Sequence, residues 1–189
     1  ANVKHRVGSY ITYDVVKNLL RPNYNLFTFN VNTQAVIPDT FKMLMIVKPT
    51  KPFSDQEKLK IDQFIMRGGK LLLFMDKLNA EMDSLRIKNE VIAYDRGLEL
   101  NDLLFKYGAR VNSDLVMDLQ SDKLPFDVNG NGQFDFLTWN YFPVFASASN
   151  HPVNKNIGFV SGKFVNSIDT VGAEGIKKTF LLSSSPNSR

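Results

Sequence analysis

The hydrophobic and polar positions in the first part of the chain switch between a helical and a strand period. Apolar residues recur four positions apart from Ile11 to Leu20, which predicts an amphipathic helix that ends before Pro22. The apolar residues of segment 25–31 predict a strand. The nearly continuous apolar run at 43–47 predicts a second strand, buried on both faces as the strands of parallel sheets are.

A helix and a third strand follow this run. Ser54 and Glu57 have the spacing of a capping box, in which the Ser54 hydroxyl accepts a hydrogen bond from the Glu57 amide and the Glu57 carboxylate accepts one from the Ser54 amide. The helix should end just before Gly68-Gly69, because glycine readily adopts the left-handed backbone conformation with which helices commonly end. The next apolar strand, 70–75, completes a β–α–β unit over residues 41–75.

The second half of the chain is richer in turns and aromatic residues. A helical pattern runs from Leu98 to Tyr107 and is closed by Gly108, and segment 111–119 predicts a strand with polar breaks. The sequence Asn129-Gly130-Asn131-Gly132 predicts a tight turn between two strands. Further strands are expected at Phe142 and Val144, Phe159 and Val160, Phe164 and Val165, and residues 179–182.

These elements predict the fold class. Helices alternate with strands, and β–α–β crossovers are right-handed, so we expect a three-layer α/β domain with a mostly parallel sheet and β-rich additions. One domain should cover residues 1–189, with a β-rich insertion at 120–150. The length of 189 residues fits this expectation, since a domain averages roughly 150 residues.

Composition excludes several classes of protein. The chain has no Cys, which excludes disulfides, thiolate catalysis and Cys-ligated metals, and its two His, His5 and His151, are too few for a His-rich metal site. The net charge of +4 is too small and too dispersed for a nucleic-acid-binding surface. No apolar run approaches the roughly 18–20 residues that span a bilayer. Most catalytic chemistry is therefore disfavoured.

Polar residues follow the carboxyl ends of both strands of the predicted β–α–β unit. Lys48, Thr50 and Lys51 follow the first strand, and Asp76 and Lys77 follow the second. Because open parallel sheets bind ligands at the carboxyl ends of their strands, these residues form a candidate site for an anionic or sugar-like ligand. The alternative is that polar residues stand there because the chain leaves the core, and the lack of a glycine-rich phosphate loop favours it.

Aromatic residues and a histidine in the second half are further candidates for binding. Trp139 and Tyr141, next to Phe142, predict a shallow aromatic site. His151 lies in an expected turn. An imidazole in a turn is more often exposed to solvent or packed against the turn than used to bind a ligand. Ser149 and His151 are two residues apart and would share a face of a strand, but no carboxylate is evident that could orient the imidazole for catalysis.

Segment 127–135 has the oxygen spacing of a calcium loop. Its oxygen-bearing side chains occupy positions 1, 3, 5 and 9 of an EF-hand-like pattern: Asp127, Asn129, Asn131 and Asp135. Gly132 stands at position 6, but position 12, where a bidentate Glu normally binds the ion, is Thr138. We therefore expect a solvent-facing turn with weak calcium binding at most, and no other cofactor.

Several stretches of the chain resemble one known family. The first runs from Ile46 to Ser54 and continues through Ile61–Lys70, with the sequence Ile65-Met66-Arg67-Gly68-Gly69-Lys70. The others are Met82-Asp83-Ser84-Leu85, Leu103–Gly108, Asp114–Gln120, Trp139–Pro143, Asn150–Val153 and Ser167–Thr179. From about residue 46 to residue 189 the chain resembles the GldG family, the auxiliary component of ABC transporters linked to gliding motility.

The resemblance implies a location, partners and a fold. It implies a periplasmic domain of a cell-membrane protein, held by transmembrane anchors outside the present sequence, with a permease and an ATPase subunit as partners. The implied fold is similar to the class I glutamine amidotransferase-like fold. The family has no defined catalytic residues to transfer, and the chain lacks the Cys nucleophile of amidotransferases and the phosphate loop of ATPases.

Three hypotheses of function follow from these observations. The first is a non-enzymatic auxiliary domain that scaffolds an ABC transporter or presents a ligand to its permease. The second is a carbohydrate- or peptide-binding module at the aromatic residues near Trp139, and the third is a degenerate hydrolase that uses Ser149 and His151. A flat, apolar exposed patch would favour the first, and an ordered pocket with convergent polar groups would favour the second.

Overall fold

The computed structural model describes residues 15–82, 90–128 and 130–189, with side chains from Asn18 onward in the first range. The chain divides into two compact units, residues 1–75 and residues 76–189, and each is described by itself. That the chain forms one domain stays a prediction. No helix within the described ranges is long and apolar enough to cross a membrane.

The first unit contains the predicted β–α–β unit. Strand β1 is Met43–Val47, helix α1 is Asp55–Met66, and strand β2 is Lys70–Phe74. The two strands are parallel, with Met43 opposite Lys70 and Val47 opposite Phe74. The prediction over residues 41–75 is therefore confirmed.

The ends of α1 follow from the sequence as expected. The Ser54 hydroxyl accepts a hydrogen bond from the Glu57 amide at 3.3 Å, and the Glu57 carboxylate accepts one from the Ser54 amide at 2.8 Å. Burial raises the pKa of Glu57, but the hydrogen bonds from Ser54 and from the Asn32 side chain outweigh it and hold the pKa below its usual value. Arg67 caps the other end, and Gly68 has the left-handed φ of +90° that Gly tolerates best.

The expectation that β1 and β2 are buried on both faces is wrong. In each strand exposed and less exposed residues alternate, so that Leu44 and Ile46 lie on a covered face while Met43, Met45 and Val47 are exposed. Helix α1 contacts β2 and buries its own Ile61 and Phe64. The apolar run signalled a parallel strand correctly, but one helix covers only one face of a sheet.

The segment before β1 departs from the predicted elements. Val15–Leu20 is a π-helical turn, and the remainder of the helix expected from Ile11 lies outside the described residues. The strand expected at 25–31 is wrong, because residues 25–30 have no regular structure and their aromatic side chains pack on Phe41 instead. Two side chains from α1 and its C-cap hold the segment before β1 in place. Lys60 Nζ donates to the Val31 carbonyl at 2.9 Å, and the Arg67 guanidinium donates to the Ile37 carbonyl at 2.9 Å.

The described part of the second unit consists mainly of short strands and includes a short helix. Helix α2 is Asn101–Lys106, and Gly108 follows it with a φ of +76°, as predicted for the helix closed by that glycine. The strands are β3 (Leu78–Asn79), β4 (Tyr94–Asp95), β5 (Ala109–Val111), β6 (Ser121–Phe126), β7 (Asp135–Ser147), β8 (Val160–Ser161), β9 (Ile168–Thr170) and β10 (Leu182–Ser183). A 3₁₀ turn covers Pro152–Asn154.

Strand β7 organises this unit. Its 13 residues pair antiparallel with β6, β8 and β10, and β6 and β7 form a hairpin around the Asn-Gly sequence, as predicted. The connection is longer than the tight turn that we expected, because eight residues, 127–134, separate the last pair, Phe126 and Asp135. The remaining pairs, β3–β4 and β5–β9, are also antiparallel. The continuous strand expected over 111–119 is wrong, because regular pairing stops at Val111 and resumes only as an isolated bridge between Asp118 and Ser188.

The described strand pairs do not form the mostly parallel sheet that we expected. Among the described residues only β1 and β2 pair in parallel. The β6–β7 pair must be antiparallel, because the eight residues between Phe126 and Asp135 are too few for the crossover that a parallel pair needs. The likeness to the class I glutamine amidotransferase-like fold stays a prediction.

Candidate functional site

The first half of the predicted strand-end site lies after β1 in the first unit. Lys48, Thr50 and Lys51 are all exposed, and Pro49 between them is buried. The Lys48 amide donates to the Phe74 carbonyl at 2.7 Å, and Lys48 has a φ of +46° that is uncommon for a residue with a side chain. The backbone is therefore fixed at Lys48 by an extra hydrogen bond between the strands.

The second half, Asp76 and Lys77, belongs to the second unit. The Lys77 ammonium donates to the Val111 carbonyl at 3.1 Å and to the Asn101 side chain at 3.5 Å, so it joins β5 to the start of α2. Its amide donates to the Asn166 side chain at 2.8 Å. These bonds support the structural interpretation of Lys77. A ligand site that combines both halves stays a prediction.

The predicted aromatic site is a packed row of rings. Trp139 lies 5.6 Å from the ring centre of Phe126 and 6.3 Å from that of Tyr141, which in turn lies 6.3 Å from Phe164. Trp139 and Tyr141 are half-buried, and Phe142 is only 2% exposed. The Trp139 indole N–H is buried and has no acceptor within the part of the chain that the structure describes. The rings thus contact each other more than they offer open faces to a ligand.

The calcium-like loop is stabilised as a turn by its own oxygen atoms. The Asp127 carboxylate accepts hydrogen bonds from the Asn131 amide at 3.1 Å and from the Gly132 amide at 3.0 Å. The Asn131 side chain accepts from the Gln133 amide at 2.9 Å, while Asp135 is exposed at the start of β7. Asn129 lies outside the described residues. Within the described ranges no group of three or more His, Cys, Asp or Glu residues could hold a metal ion.

His151 has a local structural role. Its Nδ1 accepts a hydrogen bond from the Val153 amide at 3.2 Å and so begins the 3₁₀ turn. The Ser149 carbonyl accepts from the buried Asn154 side chain at 3.3 Å. A ring nitrogen that accepts an amide hydrogen cannot at the same time act as a base toward Ser149.

A buried carboxylate that the sequence did not single out lies beside a cavity. Asp118 is 1% exposed and accepts hydrogen bonds from the Gln120 amide at 2.9 Å, from the Ser185 amide at 2.8 Å and from the Ser185 hydroxyl. Burial raises the pKa of Asp118, but these hydrogen bonds outweigh it and hold the pKa below its ordinary value. The only signal in the sequence is a carboxylate between two apolar residues, Met117 and Leu119.

The cavity beside Asp118 has a volume of about 240 Å³. Asn140 of β7 lines it together with Asn187 and Arg189, and Met117 and Leu119 supply apolar walls. The backbones of Met117 and Arg189 exchange two hydrogen bonds of 2.9 Å, which hold the last residues against this wall. Its size suits a small polar group rather than a whole oligosaccharide.

A second polar cluster surrounds β5 and β9. The Asp114 carboxylate accepts from the Ser167 amide at 2.8 Å and also from its hydroxyl. The Asn112 side chain donates to the Ser167 hydroxyl at 2.8 Å and to Asp169 at 3.0 Å. The hydrogen bond from Asn112, and then the pairing with Arg110, hold the pKa of Asp169 below its usual value. The hydrogen bonds of the cluster join its two strands.

The face of β1 and β2 that α1 does not cover is an exposed apolar surface of the first unit. Met43 is 52% exposed and Phe74 is 54% exposed, and Met45, Val47 and Leu72 are each exposed by a little more than a third. Side chains two residues apart in a strand share a face, and the pairing of Met45 with Leu72 and of Val47 with Phe74 joins them across the strands. We call these five residues, with Lys70 opposite Met43, the β1–β2 apolar face.

Residues 9–189 match the model of a family described as an ABC-type uncharacterized transport system. The proteins of this family are the auxiliary components of that system. The chain belongs to this family. No curated protein and no solved structure matches the chain.

Membership in the family of ABC transport auxiliary components supports the coarser part of the sequence-based prediction. The match also covers residues 9–45, which precede the stretches that resembled the predicted family. An auxiliary component functions with other components of its transport system. The polar candidates described above mostly form structural hydrogen bonds, whereas the β1–β2 apolar face is available for contact.

Proposed function

We propose that this chain is a non-enzymatic, extracytoplasmic auxiliary domain of an ABC transporter of the gliding-motility type, which scaffolds the transporter or presents a ligand to its permease. The match of residues 9–189 to the auxiliary family is the observation that carries the proposal. In this proposal the domain faces the periplasm, is held at the cell membrane by anchors outside the present sequence, and contacts the permease and the ATPase subunit.

The surface chemistry of the first unit supports a scaffolding role. The largest apolar patch on a monomeric protein is often a functional contact surface. The β1–β2 apolar face exposes five apolar side chains, and an exposed apolar patch is the property we expected of an auxiliary domain. Catalysis would need a nucleophile, a base and an orienting group in contact, and His151, the histidine that the structure describes, caps a turn.

The second candidate function is the binding of a small carbohydrate or a short peptide. The cavity beside Asp118 is the observation in its favour, because its volume of about 240 Å³ can hold a small ligand and Asn140, Asn187 and Arg189 are among its lining residues, although its walls are mainly apolar. The aromatic row of Trp139 and Tyr141 favours it less, because those rings pack against Phe126 and Phe164.

Co-purification tests the proposed function. The full-length protein is expressed with the permease and the ATPase subunit of its own transport system, extracted in mild detergent, and purified through a tag on the auxiliary protein. We expect both subunits in the purified complex, and accessibility of the domain to protease in intact spheroplasts. A protein that purifies alone, or a domain protected on the cytoplasmic side, would contradict the proposal.

Glycan-array and peptide-library binding separates the two candidates. We expect that no carbohydrate or peptide is enriched by binding in the cavity beside Asp118. Binding that is lost in Asn140→Ala and retained in Asn150→Ala, an exposed asparagine elsewhere in the same unit, would favour the binding module instead.

A further inference from the structure

We propose that Asn131 is a site of spontaneous modification, at which the protein converts its own asparagine side chain to a carboxylate with Asp127 as the base. The site lies in the connection between β6 and β7, residues 127–134, and the inference is independent of the proposed function. Asp127 and residues 131–133, which carry the argument, all belong to the part of the chain that the structure describes.

The nucleophile is the backbone nitrogen of Gly132. Deamidation of an asparagine begins when the amide nitrogen of the next residue attacks the side-chain carbonyl carbon, and glycine favours this step because it has no Cβ to obstruct a close approach. The Gly132 N–H donates to Oδ2 of Asp127 at 3.0 Å. At this distance the carboxylate is within reach of the proton that the attacking nitrogen loses. The Asn131 amide holds the other carboxylate oxygen, Oδ1, at 3.1 Å.

The electrophile is the side-chain carbonyl of Asn131. Its Oδ1 accepts a hydrogen bond from the Gln133 amide at 2.9 Å, and this Asx turn folds the side chain back over the Gly132 peptide. The same hydrogen bond stabilises the negative charge that develops on Oδ1 during the attack, as the donors of an oxyanion hole do. The fold therefore assembles a nucleophile, a base and an oxyanion donor around one carbonyl group.

The reaction needs only water as a co-reactant. The Gly132 nitrogen forms a bond to Cγ of Asn131 and gives its proton to the Asp127 carboxylate. The bond between Cγ and Nδ2 breaks, and the amino group takes that proton and leaves as ammonia. Water then opens the imide ring at either carbonyl carbon, which produces a normal or a β-linked aspartyl residue. Because Asn131 and Gly132 are both exposed, water reaches the ring.

The modification changes both the charge and the backbone of the connection. A neutral amide becomes a carboxylate beside Asp127, and like charges at short range repel each other. The β-linked product also lengthens the backbone, which displaces the two amides that bind Asp127 in the unmodified chain. We therefore expect the modified connection to lose these two hydrogen bonds.

Peptide mass spectrometry of the whole chain, incubated at neutral pH, tests the inference. We expect Asn131 to lose its amide faster in the folded protein than in the same chain unfolded in urea, because only the folded chain assembles the three groups. Fragment ions between residues 129 and 131 separate Asn131 from Asn129, which also precedes a glycine. A slower reaction in the folded protein would overturn the inference.

Asn30 is an internal control in the same sample. Its Oδ1 accepts from the Asn32 amide at 3.0 Å in the same kind of turn, but the next residue is the buried Val31, whose branched side chain obstructs the attack. We expect Asn30 to stay unmodified. Equal rates at Asn30 and Asn131 would show that the turn alone sets the rate and would overturn the role of Asp127.

Asp127→Asn tests the base directly, since the substitution keeps an oxygen acceptor and removes the charge. A positioned general base contributes roughly 10²–10⁴-fold. The site is open to water, so we expect the folded variant to react at least about tenfold more slowly than wild type. Asp135→Asn makes the same change at an exposed position of β7 and should have no effect. In urea all three chains should react equally. Equal rates for folded Asp127→Asn and wild type would overturn the inference.

Discussion

The carboxylate of Asp118 accepts hydrogen bonds from both the amide and the hydroxyl of Ser185, which lies 67 residues further along the chain. Asp118 is almost fully buried, so its charge is stabilised by these bonds and by the Gln120 amide rather than by water. The same region contains the bridge between Asp118 and Ser188 and the two backbone bonds between Met117 and Arg189. This contact fixes the last residues of the sequence against the second unit.

Replacing Asp118 by Ala should therefore destabilise the second unit. The substitution leaves the Ser185 amide and hydroxyl without their acceptor, and hydrogen bonds to a charged group contribute about 1.5–3 kcal/mol. We expect the free energy of unfolding to fall by about that amount in urea titrations of the whole chain. Asp135→Ala removes an exposed carboxylate from the same unit and should cost less than about 0.5 kcal/mol. Equal losses in both variants would contradict the role of Asp118.

The same carboxylate predicts a dependence of stability on pH. The pKa of Asp118 in the folded protein is below its ordinary value of 3.8, so the folded state favours the ionised form. Its contribution to stability is thus fully present above about pH 4 and is lost as the pH falls through the lowered pKa. Denaturation midpoints measured from pH 6 to pH 2 should decline less steeply in Asp118→Asn than in the wild type. Parallel curves would mean that Asp118 does not contribute to acid sensitivity.

Loss of the Ser54 hydroxyl should weaken the start of α1. Ser54→Ala removes the acceptor of the Glu57 amide, and the loss of an N-cap side chain costs about 0.5–2 kcal/mol. A shift of the urea midpoint measures this cost. Gln56→Ala, at an exposed position in the first turn, is the matched control and should be nearly neutral because alanine favours helices. An unchanged midpoint in Ser54→Ala would place the helix boundary elsewhere.

Gly69 should not tolerate even a methyl group. A Cβ at this position would lie 2.4 Å from two ring carbons of the buried Phe64, whereas a Cβ on Gly68 would meet open space. Gly69→Ala should cost about 1–3 kcal/mol through overpacking. In the double variant Phe64→Leu/Gly69→Ala the two losses should be less than additive, because the smaller side chain relieves the clash. Strict additivity in urea titrations would show that the two positions do not contact each other.

The Asp127 loop should bind calcium weakly at best. Asp127 already accepts two backbone hydrogen bonds, and Thr138 stands where a bidentate Glu would complete the shell. Calorimetric titration should give a Kd of order 10⁻⁴–10⁻³ M or weaker, the range of the weakest loops of this type. Micromolar binding that disappears in Asp127→Ala would refute this prediction, and Asp122→Ala provides a control for the general loss of a carboxylate in the same hairpin.

The sequence alone determined the local elements of this protein. The capping box of Ser54, the left-handed residue Gly68 after α1, the parallel β–α–β unit and the β6–β7 hairpin are all as predicted. Each depends on residues within a few positions of one another, or on strands joined by one short connection. The resemblance to the auxiliary family also needed only the order of the residues, and the family match supports it at the coarser level.

Tertiary structure alone decided which faces and side chains are available. An apolar run such as Met43–Val47 looks the same whether one face of a sheet is covered or both, so the exposure of Met43 and Phe74 could not be predicted from it. The contact between Asp118 and Ser185, 67 positions apart, depends on how the chain between them folds, and nothing in the spacing of two common polar residues specifies such a contact. Local spacing determines hydrogen bonds within one turn, whereas burial depends on elements that approach each other from distant parts of the chain.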